Sequence, residues 1–172
     1  MSKDIHSQSF YDSISFELCK LYSSDQGIRE RNLFDNTSNR IIQKIDSSNF
    51  SQLVNIIKLI GVPNAEKLGE ENFSNECVEG AFGAILLHNP HILIEDQTKM
   101  DFFIALVKKG DLKPEALATI LDKYYWSNSG GSRVIYGSQF GKPCKSDSIE
   151  TNKLRVKIGL ATLRTDDFKD CD

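Results

Sequence analysis

The 172-residue chain lacks the long apolar segments of a membrane protein. No apolar run approaches the roughly 20 residues that a membrane-spanning helix requires. The first ten residues, MSKDIHSQSF, contain no apolar core of the kind found in secretory signals. We therefore expect a protein that has no membrane partner and works in the cytoplasm.

The chain also lacks an excess of basic residues. Its 21 Lys and Arg residues stand against 24 Asp and Glu residues, which gives a formal net charge of −3. Proteins that bind nucleic acids without further specificity are usually basic, because the phosphate backbone is negative. The composition therefore predicts that nucleic acid is not a partner.

Cysteines are few and widely separated, at Cys19, Cys77, Cys144 and Cys171. Zinc sites usually contain closely spaced ligands such as C-x-x-C, and none is present here. Disulfides are rare in a reducing cytoplasm. We expect four thiols, some packed as small apolar groups, with no metal and no cofactor.

The common catalytic sequence motifs are missing as well. The chain contains no G-x-x-x-x-G-K-[ST] phosphate loop, no G-x-G-x-x-G dinucleotide loop, no H-E-x-x-H zinc motif and no G-x-S-x-G nucleophile elbow. This absence favours a protein that is not an enzyme.

Apolar residues are present at helical spacing along most of the chain. Gly61 and the pair Asn89-Pro90 follow two of these segments and are typical of helix ends. The stretch SNSGGS and the following RVIYGSQF interrupt the pattern. The sequence predicts a mainly α single-domain bundle over residues 1–172. It would have six or seven helices, one short β or irregular segment near 132–140, and short flexible ends at about 1–8 and 166–172.

Two polar positions in the first half of the chain are unusual for a simple bundle. Asp25 and Arg29 are four residues apart, so on a helix they share one face and can form an ion pair. His88 ends an apolar helix, where a histidine can bond the last carbonyls, or act as a general base.

The second half contains a comparable set. Asp122 follows an apolar stretch, and if buried it would need a partner such as Arg155 or Arg133. The turn Y-G-S-Q permits Tyr136 and Gln139 to be directed onto whatever they contact.

In order and spacing, these residues resemble an uncharacterised bacterial domain family over about residues 18–163. Its pattern is D-Q-x-x-R near the start, a central His, then D-R, Y-G-T-Q and a closing R-x-x-x-G-L. The matching residues here are Asp25, Gln26, Arg29, His88, Asp122, Lys123, Tyr136, Gly137, Ser138, Gln139, Arg155, Gly159 and Leu160. Lys123 stands where the family tends to have Arg, and Leu87 where it often has Gln. The resemblance implies a fold but no activity.

Two interpretations of this polar set follow. In a small hydrolase-like enzyme, His88 would be the general base, Asp25 or Asp122 would orient it, and Arg29 or Tyr136 would stabilise developing charge. Alternatively, the set would be a buried structural network that fixes the packing of the helices.

Two further features are an acidic stretch, with four glutamates at residues 70–79, and an aromatic triplet at residues 124–126. Glutamates near a helix start are favoured by the helix dipole, and an acidic surface also attracts a basic partner. Aromatic residues often anchor protein interfaces. We therefore predict a non-enzymatic, cytoplasmic protein-binding domain, namely an immunity protein that occludes the active site of a cognate bacterial toxin such as a basic nuclease. A structural or regulatory subunit fits the same features. The predicted contact residues are Glu70, Glu71, Glu76, Glu79, Tyr124, Tyr125 and Trp126.

Overall fold

A computed structural model describes residues 2–29 and 39–171, with side chains from 8–29 and 40–171. The fold is mainly α, as the sequence predicts, and the described residues form nine α-helices and no sheet. Contacts group the chain into two compact units, residues 1–89 and 90–172, where the sequence predicts one domain. We call them the N-terminal unit and the C-terminal unit.

The N-terminal unit contains five helices. They are α1 (Ser2–Gly27), α2 (Asn39–Ile60), α3 (Ala65–Leu68), α4 (Glu70–Phe73) and α5 (Glu76–His88). The two longest helices and α5 pack together around buried apolar side chains such as Leu18, Leu53 and Ile85. The helices α1 and α5 approach closely at Gly80, where an added Cβ would lie 2.8 Å from the ring of Tyr22.

The C-terminal unit contains the other four helices, α6 (Pro90–Glu95), α7 (Gln97–Lys109), α8 (Pro114–Asn128) and α9 (Ser148–Lys157). Asp96 caps α7 by accepting hydrogen bonds from the amides of Thr98 and Lys99. The buried side chains of Leu93, Phe103 and Leu117 belong to its core.

The segment between α8 and α9 is irregular and forms no strand over the predicted range 132–140. Gly137 adopts a left-handed conformation with φ of 69°, and a Cβ there would lie 3.1 Å from Pro143 and 3.2 Å from Leu163. A side chain at this turn would be strained both by the backbone and by its neighbours. The glycine therefore allows the turn to pack closely.

The expectation of four free thiols is wrong for this structure, which joins Cys19 to Cys77 and Cys144 to Cys171. The first disulfide connects α1 with α5, and the second fixes the end of the described chain. Spacing along the sequence did not reveal these pairs, because each joins residues that only the fold brings together.

Two residues of the C-terminal range that the sequence predicts to be flexible contact the rest of the C-terminal unit. Phe168 is buried, and Lys169 exchanges backbone hydrogen bonds with Pro143 and Lys145. Of the two predicted flexible ends, residues 2–8 lie in α1, while Met1 and Asp172 lie outside the described residues.

Candidate functional site

A polar cluster in the N-terminal unit is centred on Asp25, which is fully buried. The Nδ1 atom of His88 lies 2.8 Å from Oδ2 and 3.0 Å from Oδ1 of this carboxylate. Gln26 donates to Oδ2 at 2.8 Å, and Arg29 donates to Oδ1 at 3.2 Å. The predicted ion pair between Asp25 and Arg29 is therefore confirmed.

Arg29 extends the cluster to α2. Its other terminal nitrogen donates to both carboxylate oxygens of Asp46, at 2.8 and 2.9 Å. Asp46 was not identified from the sequence, although a signal exists: it occupies the helical spacing of the buried residues Asn49 and Leu53. An acidic residue on the apolar face of a helix requires a partner, and Arg29 supplies it.

The cluster leaves one edge of His88 accessible, since 29% of its side chain is exposed. A carboxylate only accepts hydrogen bonds, so contact with Asp25 places a proton on Nδ1. In the neutral imidazole this leaves Nε2 able to accept a proton. An oriented histidine of this kind is chemically able to act as a general base.

Asp122 belongs to a different cluster in the C-terminal unit, and its partners differ from those predicted. Its Oδ1 accepts hydrogen bonds from the amides of Ile135 and Tyr136 at 2.8 and 2.7 Å, and its Oδ2 accepts one from Ser138 at 2.9 Å. The prediction of an arginine partner is wrong, because backbone amides occupy the carboxylate. Burial raises the pKa of Asp122, and these hydrogen bonds oppose that shift in part.

Both arginines predicted as partners bind elsewhere. Arg155 donates to the backbone carbonyls of Tyr136 and Ala161, and Arg133 pairs with Asp147 at 2.6 Å. Burial lowers the pKa of Arg155, although nearby Asp122 favours its charged form. Asp122 and Arg155 thus hold the same turn in place: Asp122 accepts hydrogen bonds from its amides, and Arg155 donates to one of its carbonyls.

Tyr136 itself is buried, and that burial raises the pKa of its phenol. Gln139, the other member of the predicted turn, is exposed. Asn152 pairs with the backbone of Leu163 through both its amide oxygen and its amide nitrogen, at 2.7 and 3.3 Å. The C-terminal cluster is therefore built mainly from side chains that satisfy backbone groups.

The polar residues predicted as one set are thus divided between the two units. The N-terminal unit holds Asp25, Gln26, Arg29 and His88, and the C-terminal unit holds Asp122, Tyr136, Gln139 and Arg155. The structure brings the first set together around Asp25.

The predicted contact residues are divided in the same way. Glu70, Glu71, Glu76 and Glu79 are exposed in the N-terminal unit. The triplet Tyr124, Tyr125 and Trp126 lies in α8 and is partly buried.

Lys123 lies against part of the aromatic triplet. Its ammonium lies 4.6 Å from the ring centroid of Trp126 and 5.6 Å from that of Phe140. Contacts of this length are typical of cation–π interactions. The tryptophan is therefore packed against its own unit as well as partly exposed.

Comparison with known proteins identifies no relative: no family model, curated protein or solved structure matches this chain. Within residues 2–29 and 39–171, no group of three or more His, Cys, Asp or Glu side chains is arranged to hold a metal ion. None of the helices in these ranges is long and apolar enough to cross a membrane.

Proposed function

We propose that this chain is a non-catalytic protein-binding protein whose partner presents a basic surface, and that it is an immunity protein that neutralises a cognate bacterial toxin. The observation that carries the proposal is a set of four exposed glutamates on α4 and α5. No carboxylate of this set forms an ion pair with a described side chain. We call this set, Glu70, Glu71, Glu76 and Glu79, the acidic surface.

The distribution of charge supports this proposal. Residues 1–89 contain 12 acidic and 8 basic side chains, a net charge of −4, whereas residues 90–172 contain 12 acidic and 13 basic ones. Lys67 is the one basic residue between Glu66 and Glu79, and its ammonium donates to the carbonyl of Val62 at 3.2 Å. The negative potential of this stretch is therefore available to attract a basic partner.

The acidic surface is also held in place. The Cys19–Cys77 disulfide fixes the first turn of α5 to α1. Asn72 in α4 donates to Asp12 of α1 at 2.9 Å and to the carbonyl of Leu68 at 3.1 Å. A surface that is already ordered loses less conformational entropy when it binds.

The paired cysteines bear on where such binding would occur. Disulfides persist in oxidising compartments and are rare in the cytoplasm. The proposal therefore favours an oxidising compartment over the cytoplasm that the sequence predicts.

Alkylation of protein isolated from its own cells, followed by mass spectrometry, should detect no free thiol. Four free thiols would indicate a reducing compartment instead.

The proposal is tested by co-expression with candidate bacterial toxins, with growth as the readout. We expect the chain to restore growth, and the variant Glu70→Gln/Glu71→Gln/Glu76→Gln/Glu79→Gln to lose that protection. At about 0.5 kcal/mol for each charge pair, the purified variant should bind about 30-fold more weakly. The difference should shrink as salt concentration rises.

A matched control removes four carboxylates from the C-terminal unit, with the changes Glu95→Gln, Asp101→Asn, Glu115→Gln and Asp166→Asn. This control makes the net charge less negative by the same four units, so it separates a local contact from general attraction. Equal protection by both variants would reject the acidic surface as the contact. A toxin complex that left this surface in solvent would reject it too.

A second candidate function rests on the contact between Asp25 and His88. This pair would activate water in a small hydrolase, with Nε2 of the histidine as the proton acceptor. We would assay para-nitrophenyl esters and phosphates with the parent chain, with His88→Ala and with His91→Ala as the control for an exposed histidine. Turnover that is lost in His88→Ala alone would favour the enzyme, and absence of turnover in the parent chain would argue against it.

A further inference from the structure

A cavity of about 560 Å³ lies within the C-terminal unit, between the end of α8, the following irregular segment and the start of α9. Its volume falls within the range of small-molecule sites. Apolar side chains at Tyr125, Ile135 and Leu154 form part of its wall. We call it the α8–α9 cavity. All of its lining residues belong to the C-terminal unit, whereas the Asp25 cluster and the acidic surface belong to the N-terminal unit.

One wall residue carries an unsatisfied polar group. Thr151 is fully buried, and its hydroxyl has no hydrogen-bond partner among the described residues. A buried hydroxyl without a partner costs free energy.

The charged groups that line the cavity are Arg133, Asp147 and Glu150, and they carry a net negative charge. Arg133 already pairs with Asp147 at 2.6 Å. Glu150 pairs with Lys153 at the longer distance of 3.6 Å between the ammonium and the carboxylate, and 58% of its side chain is exposed. A cation entering the cavity would therefore meet a carboxylate that is weakly paired.

Tyr125 contributes a neutral wall. Burial raises the pKa of its phenol, and the charges of Tyr124, Asp122 and Glu150 add to this shift. The phenol stays protonated at neutral pH, so its ring offers an uncharged face. Aromatic faces attract cations through their quadrupole.

We propose that the α8–α9 cavity binds an amphipathic cation, a ligand with an apolar body and one ammonium or guanidinium group. The body lies against Ile135, Leu154 and the ring of Tyr125, and the cation lies at Glu150. Two sources share this chemistry, a free amine and a basic side chain of a protein partner. The inference does not depend on the proposed function, because the cavity and its charges belong to this chain alone.

The test uses three probes that share an indole ring: tryptamine, the neutral alcohol tryptophol and the anion indole-3-acetate. Isothermal titration calorimetry with the full chain should give the tightest binding for tryptamine and the weakest for indole-3-acetate. Glu150→Gln should weaken tryptamine binding about three- to fivefold and leave tryptophol unchanged. Glu95→Gln, an exposed glutamate outside the cavity, should change neither.

A second arm separates the two sources. Capped arginine amide and its neutral isostere, capped citrulline amide, are titrated in the same way. Binding of the arginine form with rejection of the citrulline form assigns the cavity to a basic side chain, whereas binding of tryptamine alone assigns it to a free amine. Either result supports the shared chemistry.

Three results would overturn the proposal. The first is no saturable binding of tryptamine or arginine amide at millimolar concentration. The second is equal affinity for all three indoles. The third concerns Leu154→Trp, which should fill the cavity. If this variant melts like the parent chain and still binds tryptamine with the same affinity, the ligand lies elsewhere.

Discussion

The two polar clusters contain similar residue types but use them differently. In the N-terminal unit, Asp25 is bonded by the side chains of His88, Gln26 and Arg29. In the C-terminal unit, Asp122 is bonded by three backbone amides. Both carboxylates are fully buried, so burial alone does not distinguish them.

The difference lies in what remains accessible. Both carboxylate oxygens of Asp122 accept hydrogen bonds from the amides of one turn. Tyr136, in the same cluster, is buried, so its hydroxyl is not accessible. The Asp25 cluster ends in a histidine with 29% of its side chain exposed. A cluster whose side chains bond backbone groups holds a loop in place. A cluster that ends in an accessible titratable side chain can also transfer a proton to or from a bound molecule.

The largest expected effect concerns the disulfides, because each unit contains one. Replacing Cys19 and Cys77 with Ser should lower the free energy of unfolding by about 4 kcal/mol, since this bond spans 58 residues. The Cys144→Ser/Cys171→Ser variant should lose about 3.5 kcal/mol, since its bond spans 27 residues. Urea unfolding with and without reductant measures both.

In this experiment reductant should also lower the free energy of unfolding of the parent chain. In each variant reductant should lower it only by the contribution of the one disulfide that remains. Unchanged urea midpoints for both variants would mean that neither bond constrains the unfolded chain.

The next effect tests whether Asp122 is structural. Asp122→Ala leaves three amides without acceptors, so we expect a loss of about 3 kcal/mol in the free energy of unfolding. Hydrogen exchange should show the amides of Ile135, Tyr136 and Ser138 losing protection. Asp101→Ala, at an exposed carboxylate, should cost about 0.5 kcal/mol or less. Retained protection in Asp122→Ala would contradict the assignment.

A smaller loss is expected at Asp25. Asp25→Asn keeps the shape of the side chain but removes the charge that faces Arg29 and His88, so we expect a loss of about 2 kcal/mol. Glu17, whose side chain is 45% exposed, pairs with Lys20, and Glu17→Gln should cost about 0.5 kcal/mol or less. Thermal unfolding compares the two. If Asp25→Asn lost more free energy of unfolding than Asp122→Ala, the Asp25 cluster would be the more important of the two for stability.

Local pattern predicted the helical fold well, because period and helix-ending residues are properties of short segments. The predicted ends at Gly61 and at Asn89-Pro90 agree with the structure. Short helices such as α3 and α4, of four residues each, carry too little periodicity to be recognised.

The candidate sites were predicted only in part, because partners depend on the fold. The pair Asp25 and Arg29 is local and was found, whereas contact between Asp25 and His88 spans 63 residues. The acceptor role of Asp122 was missed since backbone amides carry no sequence signature. The α8–α9 cavity was also missed, because its wall is assembled from three separate segments that only the fold brings together.

The smallest effect compares the unsatisfied hydroxyls of the two units, Ser15 and Thr151, both buried and without a partner among the described residues. Removing a buried hydroxyl that makes no hydrogen bond removes a desolvation cost, so Ser15→Ala and Thr151→Val should each raise the free energy of unfolding by about 0.5 kcal/mol. Thr151 differs from Ser15 in belonging to the wall of the α8–α9 cavity. Differential scanning calorimetry with added tryptamine distinguishes the two sites. Ser15→Ala should stay stabilised, whereas Thr151→Val should lose part of its advantage if its hydroxyl contributes to ligand binding. A loss of stability in Thr151→Val without ligand would show instead that the hydroxyl is already satisfied in the free protein.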